Sequence, residues 1–143
     1  MSRITSIVPA MAIVAMALPA ASAFAGNFQN PGPEAFKATG AMMAIKSPAT
    51  NACPAAAKMT GWIMTNKPGS VSYMIARKGG GVSGPFQVNA VPSAQGAMAT
   101  ISRNMEIHQP INAEYRILVA DGTGQVMSNW APLKASCKIQ LGG

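Results

Sequence analysis

The chain has one histidine, His108, so side-chain base chemistry near neutral pH falls to it. A hydrolase of the serine or cysteine type also needs a carboxylate to orient that base and an activated nucleophile beside it. Glu106 stands two residues earlier, and on an extended backbone both side chains would point the same way. Glu34, Glu114 and Asp121 are the other carboxylates. No G-x-S-x-G elbow accompanies them, and the Gln109-Pro110 that follows reads as a loop. The expectation is a protein that is not an enzyme, with a small secreted enzyme ranked behind the two classes below.

Metal chemistry has few donors to draw on. Zinc wants four ligands, usually in close-spaced pairs, and two distant cysteines, Cys53 and Cys137, with one histidine do not supply them. Methionine is abundant, at 11 residues, and thioethers suit Cu(I). Met105-x-x-His108 with a neighbouring methionine would make such a site, which gives the alternative reading of a periplasmic copper-binding protein. Methionine also fills gaps in cores, and these residues are scattered through the chain, so no cofactor is expected.

Gly79-Gly80-Gly81 follows Arg77-Lys78 but lacks the Gly-Lys-Ser/Thr ending and the helix that a phosphate loop needs. It reads as an inter-strand loop with two solvated cations, Arg77 and Lys78. The net charge of +7 is spread along the chain, and the aromatics do not interleave with it as stacking platforms. Nucleic acid is therefore not expected. An anionic envelope component or a protein partner suits the excess charge better.

The N-terminus supplies the compartment. Residues 1–25 carry Arg3, an apolar run from Ile7 to Leu18 and a small-x-small ending at Ala23-Phe24-Ala25, which reads as a cleaved signal peptide. The apolar run is too short for a membrane span of ~20 residues, so no transmembrane segment is expected after cleavage. The protein is expected in the periplasm or outside the cell, where Cys53 and Cys137 would be joined as a disulfide. Residues 26–35, rich in Pro, Gly and Asn, form an extended lead-in, and 36–143 form a single domain.

In that domain apolar residues alternate with polar ones in short runs divided by turn residues, the pattern of β-strands. Phe86, Val88 and Ala90 oppose Gln87 and Asn89; Ala135, Cys137, Ile139 and Leu141 oppose Ser136, Lys138 and Gln140. Further strands are expected at 58–66, 71–77, 97–105, 113–120 and 125–130, and 36–46 suits a strand or a helix. Segment 58–66 is apolar on both faces. With Met59 and Ile63 inward, Trp62 and Met64 would lie outside and form, with Met74, an apolar contact patch. The opposite register would bury Trp62 as the central aromatic of the core.

The run from Tyr115 to Gly124, Tyr-Arg-Ile-Leu-Val-Ala-Asp-Gly-Thr-Gly, resembles the penultimate strand and turn of fibronectin type III and immunoglobulin-like domains. The stretch Gly61 to Tyr73 is similar to uncharacterised small exported bacterial domains that pair a Cys near the domain start with one in the last strand. The resemblance implies an all-β, antiparallel immunoglobulin-like sandwich of seven or eight strands and no particular activity. The functional expectation is an exported, non-catalytic binding or envelope-associated module.

Overall fold

The computed structural model describes residues 33–120 and 124–138. The expected signal peptide, nearly all of the lead-in, Asp121, Ile139 and Leu141 lie outside them. The chain divides into two compact units, Met1–Pro33 and Glu34–Gly143, and every described strand belongs to the second. The strands are β1 (Ala38–Lys46), β2 (Ala55–Thr65), β3 (Gly69–Arg77), β4 (Val82–Ser93), β5 (Gly96–Ile107), β6 (Ile111–Ala120), β7 (Gln125–Met127) and β8 (Ala131–Ala135). No helix occurs among the described residues. Of segment 36–46, Ala38–Lys46 forms a strand because β1 pairs with β2, with one register shift between Ala38 and Gly40, an arrangement that overrides the helix propensity of its alanines and methionines.

The protein is all-β and antiparallel, with hydrogen-bonded order β1-β2-β5-β4-β3-β6-β7 and β8 on β6. Strand β4 belongs to both halves: Val82–Ala90 pairs with β3, and Val91–Ser93 pairs with the start of β5. Beyond Val91 and Met98, β4 and β5 part, and the interior opens sideways between them. A bulge sharpens the turn of β4, since Tyr73 pairs with Phe86 but Ile75 with Ser83, and the extra residue is accommodated around Gly84 at φ +122°. A Cβ at Gly84 would stand 3.1 Å from the Tyr73 carbonyl oxygen, so glycine serves there for both space and dihedral.

A side chain nearly closes the far side. The Asn129 amide donates from Nδ2 to the Met43 carbonyl at 2.9 Å and accepts the Met43 N–H on Oδ1 at 3.0 Å, replacing a strand partner for β1. This explains why the strand expected at 125–130 stops at Met127. The Ser128 hydroxyl takes the Ile117 N–H at 2.8 Å, and the chain gains one residue on β6 before pairing resumes at Ala131. Likewise the last strand ends at Ala135, short of the alternation expected through Leu141, and Cys137 lies beyond it.

The core lies on the inner face of the eight-stranded sheet. Ile63, Ala99, Ile117, Val119 and Tyr73 form its centre, and Ala57, Ile107 and Leu133 form a second cluster beside the disulfide. Cys53 and Cys137 are bonded, with Cα atoms 5.1 Å apart and a sequence separation of 84. Asn51 reinforces this closure by accepting hydrogen bonds from the Lys138 N–H and the Ser136 hydroxyl.

Candidate functional site

The face of β2 is decided by Gly61. Ile117 crosses from the opposite strand group onto that position, where any Cβ would collide with its Cδ1. Met59, Gly61, Ile63 and Thr65 therefore point inward, with Ile63 wholly buried, and strand alternation turns Trp62 and Met64 outward. Registers with β1 and β5 supply their neighbours. Trp62 stands between Met42 and Thr100, while Met64 stands between Gly40 and Met98, with Val91 next along the row. Met42 and Val91 are 56% and 60% exposed, whereas Trp62, Met64 and Met98 are half-buried against one another. The outcome is an apolar cluster on the outer face of β1, β2 and β5.

Along the same face the chemistry changes. Lys46 and Lys58 are cross-strand partners, and both are exposed. Like charges set opposite one another on a sheet repel, and among the described residues neither has a carboxylate partner. Four residues of strand separate Lys58 from Trp62, about 13 Å at the usual rise. One face thus carries an apolar end and a cationic end.

Met74 does not join this cluster. It lies on β3, opposite Leu118 of β6, and Leu118 in turn faces Met127, so its apolar neighbours belong to the other strand group. Sequence alternation placed Met74 outside the core but carried no information on strand order. The residues missed on the Trp62 face are Met42, Met98 and Val91, each unremarkable until the β1-β2-β5 registers align them.

The two cations of the Gly-rich loop separate. Lys78 bonds the Glu114 carboxylate at 2.6 Å and lies 5.8 Å from the Trp130 ring, whose face also carries the Arg116 guanidinium at 4.4 Å. Arg77 instead reaches the lower end of the lateral opening. That end is a cleft of about 270 Å³, lined in part by Arg77, Met105, Glu106, His108 and Tyr115. His108 Nε2 is 3.6 Å from Glu106 Oε2, with side chains 69% and 81% exposed, so the pair sits in bulk solvent where such contacts contribute little. The upper end, about 190 Å³, is lined by Met59, Ile75, Phe86, Arg103, Met105 and Tyr115 among others. Met105 thus borders both ends, His108 only the lower, and Met59 only the upper.

Arg103 is the unexpected member. It takes an inward position in the series Ala97, Ala99, Ile101, Arg103, Met105, Ile107, where strand alternation calls for an apolar residue. Its guanidinium lies 3.9 Å from the centre of the Phe86 ring, which contacts Tyr73 in turn at 5.5 Å. The sequence signal was present as one cation interrupting an apolar alternation.

No protein-family model, curated protein or solved structure matches the chain. Among the described residues, no helix is long and apolar enough to cross a membrane, and no group of three or more His, Cys, Asp or Glu could hold a metal ion.

Proposed function

We propose that this is an exported, non-catalytic binding module that docks on an anionic lipid surface through the outer face of β1, β2 and β5. The observation carrying the reading is the continuity, on one face, of the Trp62 cluster with the Lys46–Lys58 pair. Tryptophan favours the interface between hydrocarbon and water, and each lysine near an anionic leaflet contributes about 1 kcal/mol of attraction. The disulfide accords with an oxidising compartment, and the excess of lysine and arginine over carboxylates favours anionic surfaces. Eight antiparallel strands with one disulfide support an immunoglobulin-like or fibronectin type III-like scaffold.

Co-sedimentation with phosphatidylglycerol vesicles tests the docking. Association should be saturable, should weaken with salt, and should be lost in the Met42→Ser/Trp62→Ser protein. No association, or association that this double substitution leaves intact, would refute the lipid reading. Concentration-dependent dimerisation, or binding of acidic proteins through the same face, would assign the surface to those occupants instead.

A second reading rests on Met59 and Met105 lining one cavity, with His108 at the adjoining end. Two thioethers and an imidazole are a donor set for Cu(I). Uptake against a competing chelator, weakened by Met105→Ala and by His108→Ala, would support it; unchanged affinity in both would remove it.

A further inference from the structure

The lateral opening between β4 and β5 combines features that the docking face does not use. Its walls are mostly apolar, formed by Met59, Ile75, Phe86, Met105 and Tyr115, with Ser83 and Asn104 as neutral polar members. At about 190 Å³ it is smaller than the ~300–1,000 Å³ of ordinary ligand pockets, which favours a short chain. Among the described residues lining it, Arg103 holds the one charge.

That charge lies over the Phe86 ring and has no carboxylate partner among the described residues. The guanidinium carbon stands 3.9 Å from the Phe86 ring centre, and its N–H groups remain able to donate to a bidentate carboxylate. No ion pair is made by Arg103 among the described residues. A plug for the open side of the core would be served as well by leucine or methionine, whose burial carries no desolvation cost for a charge. The cation therefore has a use that plugging does not explain.

We propose that this cleft binds a short-chain aliphatic carboxylate, with its carboxylate on the Arg103 guanidinium and its chain among Met59, Ile75 and Met105. The two ends of such a ligand match the two chemistries of the cleft. Neither end alone suffices: a bare carboxylate leaves the apolar walls unfilled, and a neutral chain leaves Arg103 unpaired. The site is independent of the lipid-docking face, which lies on the other side of β2 and β5.

Hexanoate titrated into the folded protein, followed by the methyl resonances of Met59, Ile75 and Met105, is the experiment. Saturable shifts confined to these methyls are expected, with hexanol and acetate each binding at least ~10-fold more weakly than hexanoate. Arg103→Gln should weaken hexanoate binding ~10-fold or more, while Arg103→Lys should retain part of it because charge persists without the fork. Absence of saturable shifts in the unaltered protein would overturn the proposal. Equal binding of hexanol and hexanoate would also overturn it, and that comparison needs no variant to fold. Hexanoate affinity unchanged in a folded Arg103→Gln protein would show that Arg103 only plugs the opening.

Discussion

Truncating Trp62 and Ile63 separately should rank the two residues opposite to their sizes. Ile63 is 0% exposed and faces the core. Converting it to Ala removes three carbons, about 2.4 kcal/mol at roughly 0.8 kcal/mol per buried methylene, and the cavity left behind raises the loss to about 2–5 kcal/mol. Trp62 packs only along the outer face. Its direct cross-strand neighbours are Met42 and Thr100, and pairs of this kind contribute roughly 0.2–1 kcal/mol each, so Trp62→Ala should cost about 0.4–2 kcal/mol. A core tryptophan would instead cost about 3–5 kcal/mol. Urea unfolding followed by far-ultraviolet circular dichroism measures both, and an unchanged m value would show that the denatured state is not the cause. A Trp62→Ala loss above about 3 kcal/mol with Ile63→Ala nearly neutral would mean that β2 presents its other face inward, and the Trp62 cluster would vanish with it.

Other consequences can be measured on the same protein. Replacing both cysteines by serine opens a loop of 84 residues and should lower stability by about 4–5 kcal/mol in the chain-entropy description, read as a large fall in the denaturation midpoint; a midpoint unchanged from the oxidised protein would contradict this. Asn129→Ala removes both hydrogen bonds that hold Met43, so amide exchange at Met43 should accelerate and stability fall by about 1–3 kcal/mol, with unaltered exchange refuting the closure. The Glu34 carboxyl is held below its ordinary value by the hydrogen bond from Lys37 and by that residue's charge. A depressed carboxylate stabilises above its unfolded pKa and loses that contribution as pH falls through its folded pKa, so protection of the backbone amides around Lys37, taken relative to their intrinsic exchange rate at each pH, should fall in acid. Glu34→Gln should remove this pH dependence, and its persistence would contradict the assignment.

The strands were legible where one residue type per face was enough to fix the direction. Phe86, Val88 and Ala90 turn toward the interior, and Gln87 and Asn89 turn out, because a period of two leaves no other arrangement. Segment 58–66 was ambiguous because both its faces are apolar. Its direction is marked by Ile117, 56 residues away from Gly61 in sequence, whose Cδ1 occupies the space an inward Cβ at that position would need. Strand ends were also hidden. Ser128 and Asn129 substitute side chains for backbone partners, and nothing in local periodicity announces that exchange. The same limit applies to the surface cluster: Met42, Met98 and Val91 join Trp62 through register, whereas Met74, equally outward by alternation, belongs to a strand three places along the sheet. The cysteine pair needed only compartment and count.

Depth-dependent quenching of Trp62 on vesicles tests the docking face most directly. In a Trp130→Phe protein, which keeps an aromatic ring beneath Arg116, Trp62 is the sole remaining tryptophan of the described residues. Phosphatidylglycerol vesicles carrying brominated acyl chains should quench and blue-shift its emission, and phosphatidylcholine vesicles should not. Reversing Lys46 and Lys58 to glutamate should abolish the quenching. Protein that sediments with anionic vesicles while Trp62 stays unquenched and fully accessible to iodide would contradict the account.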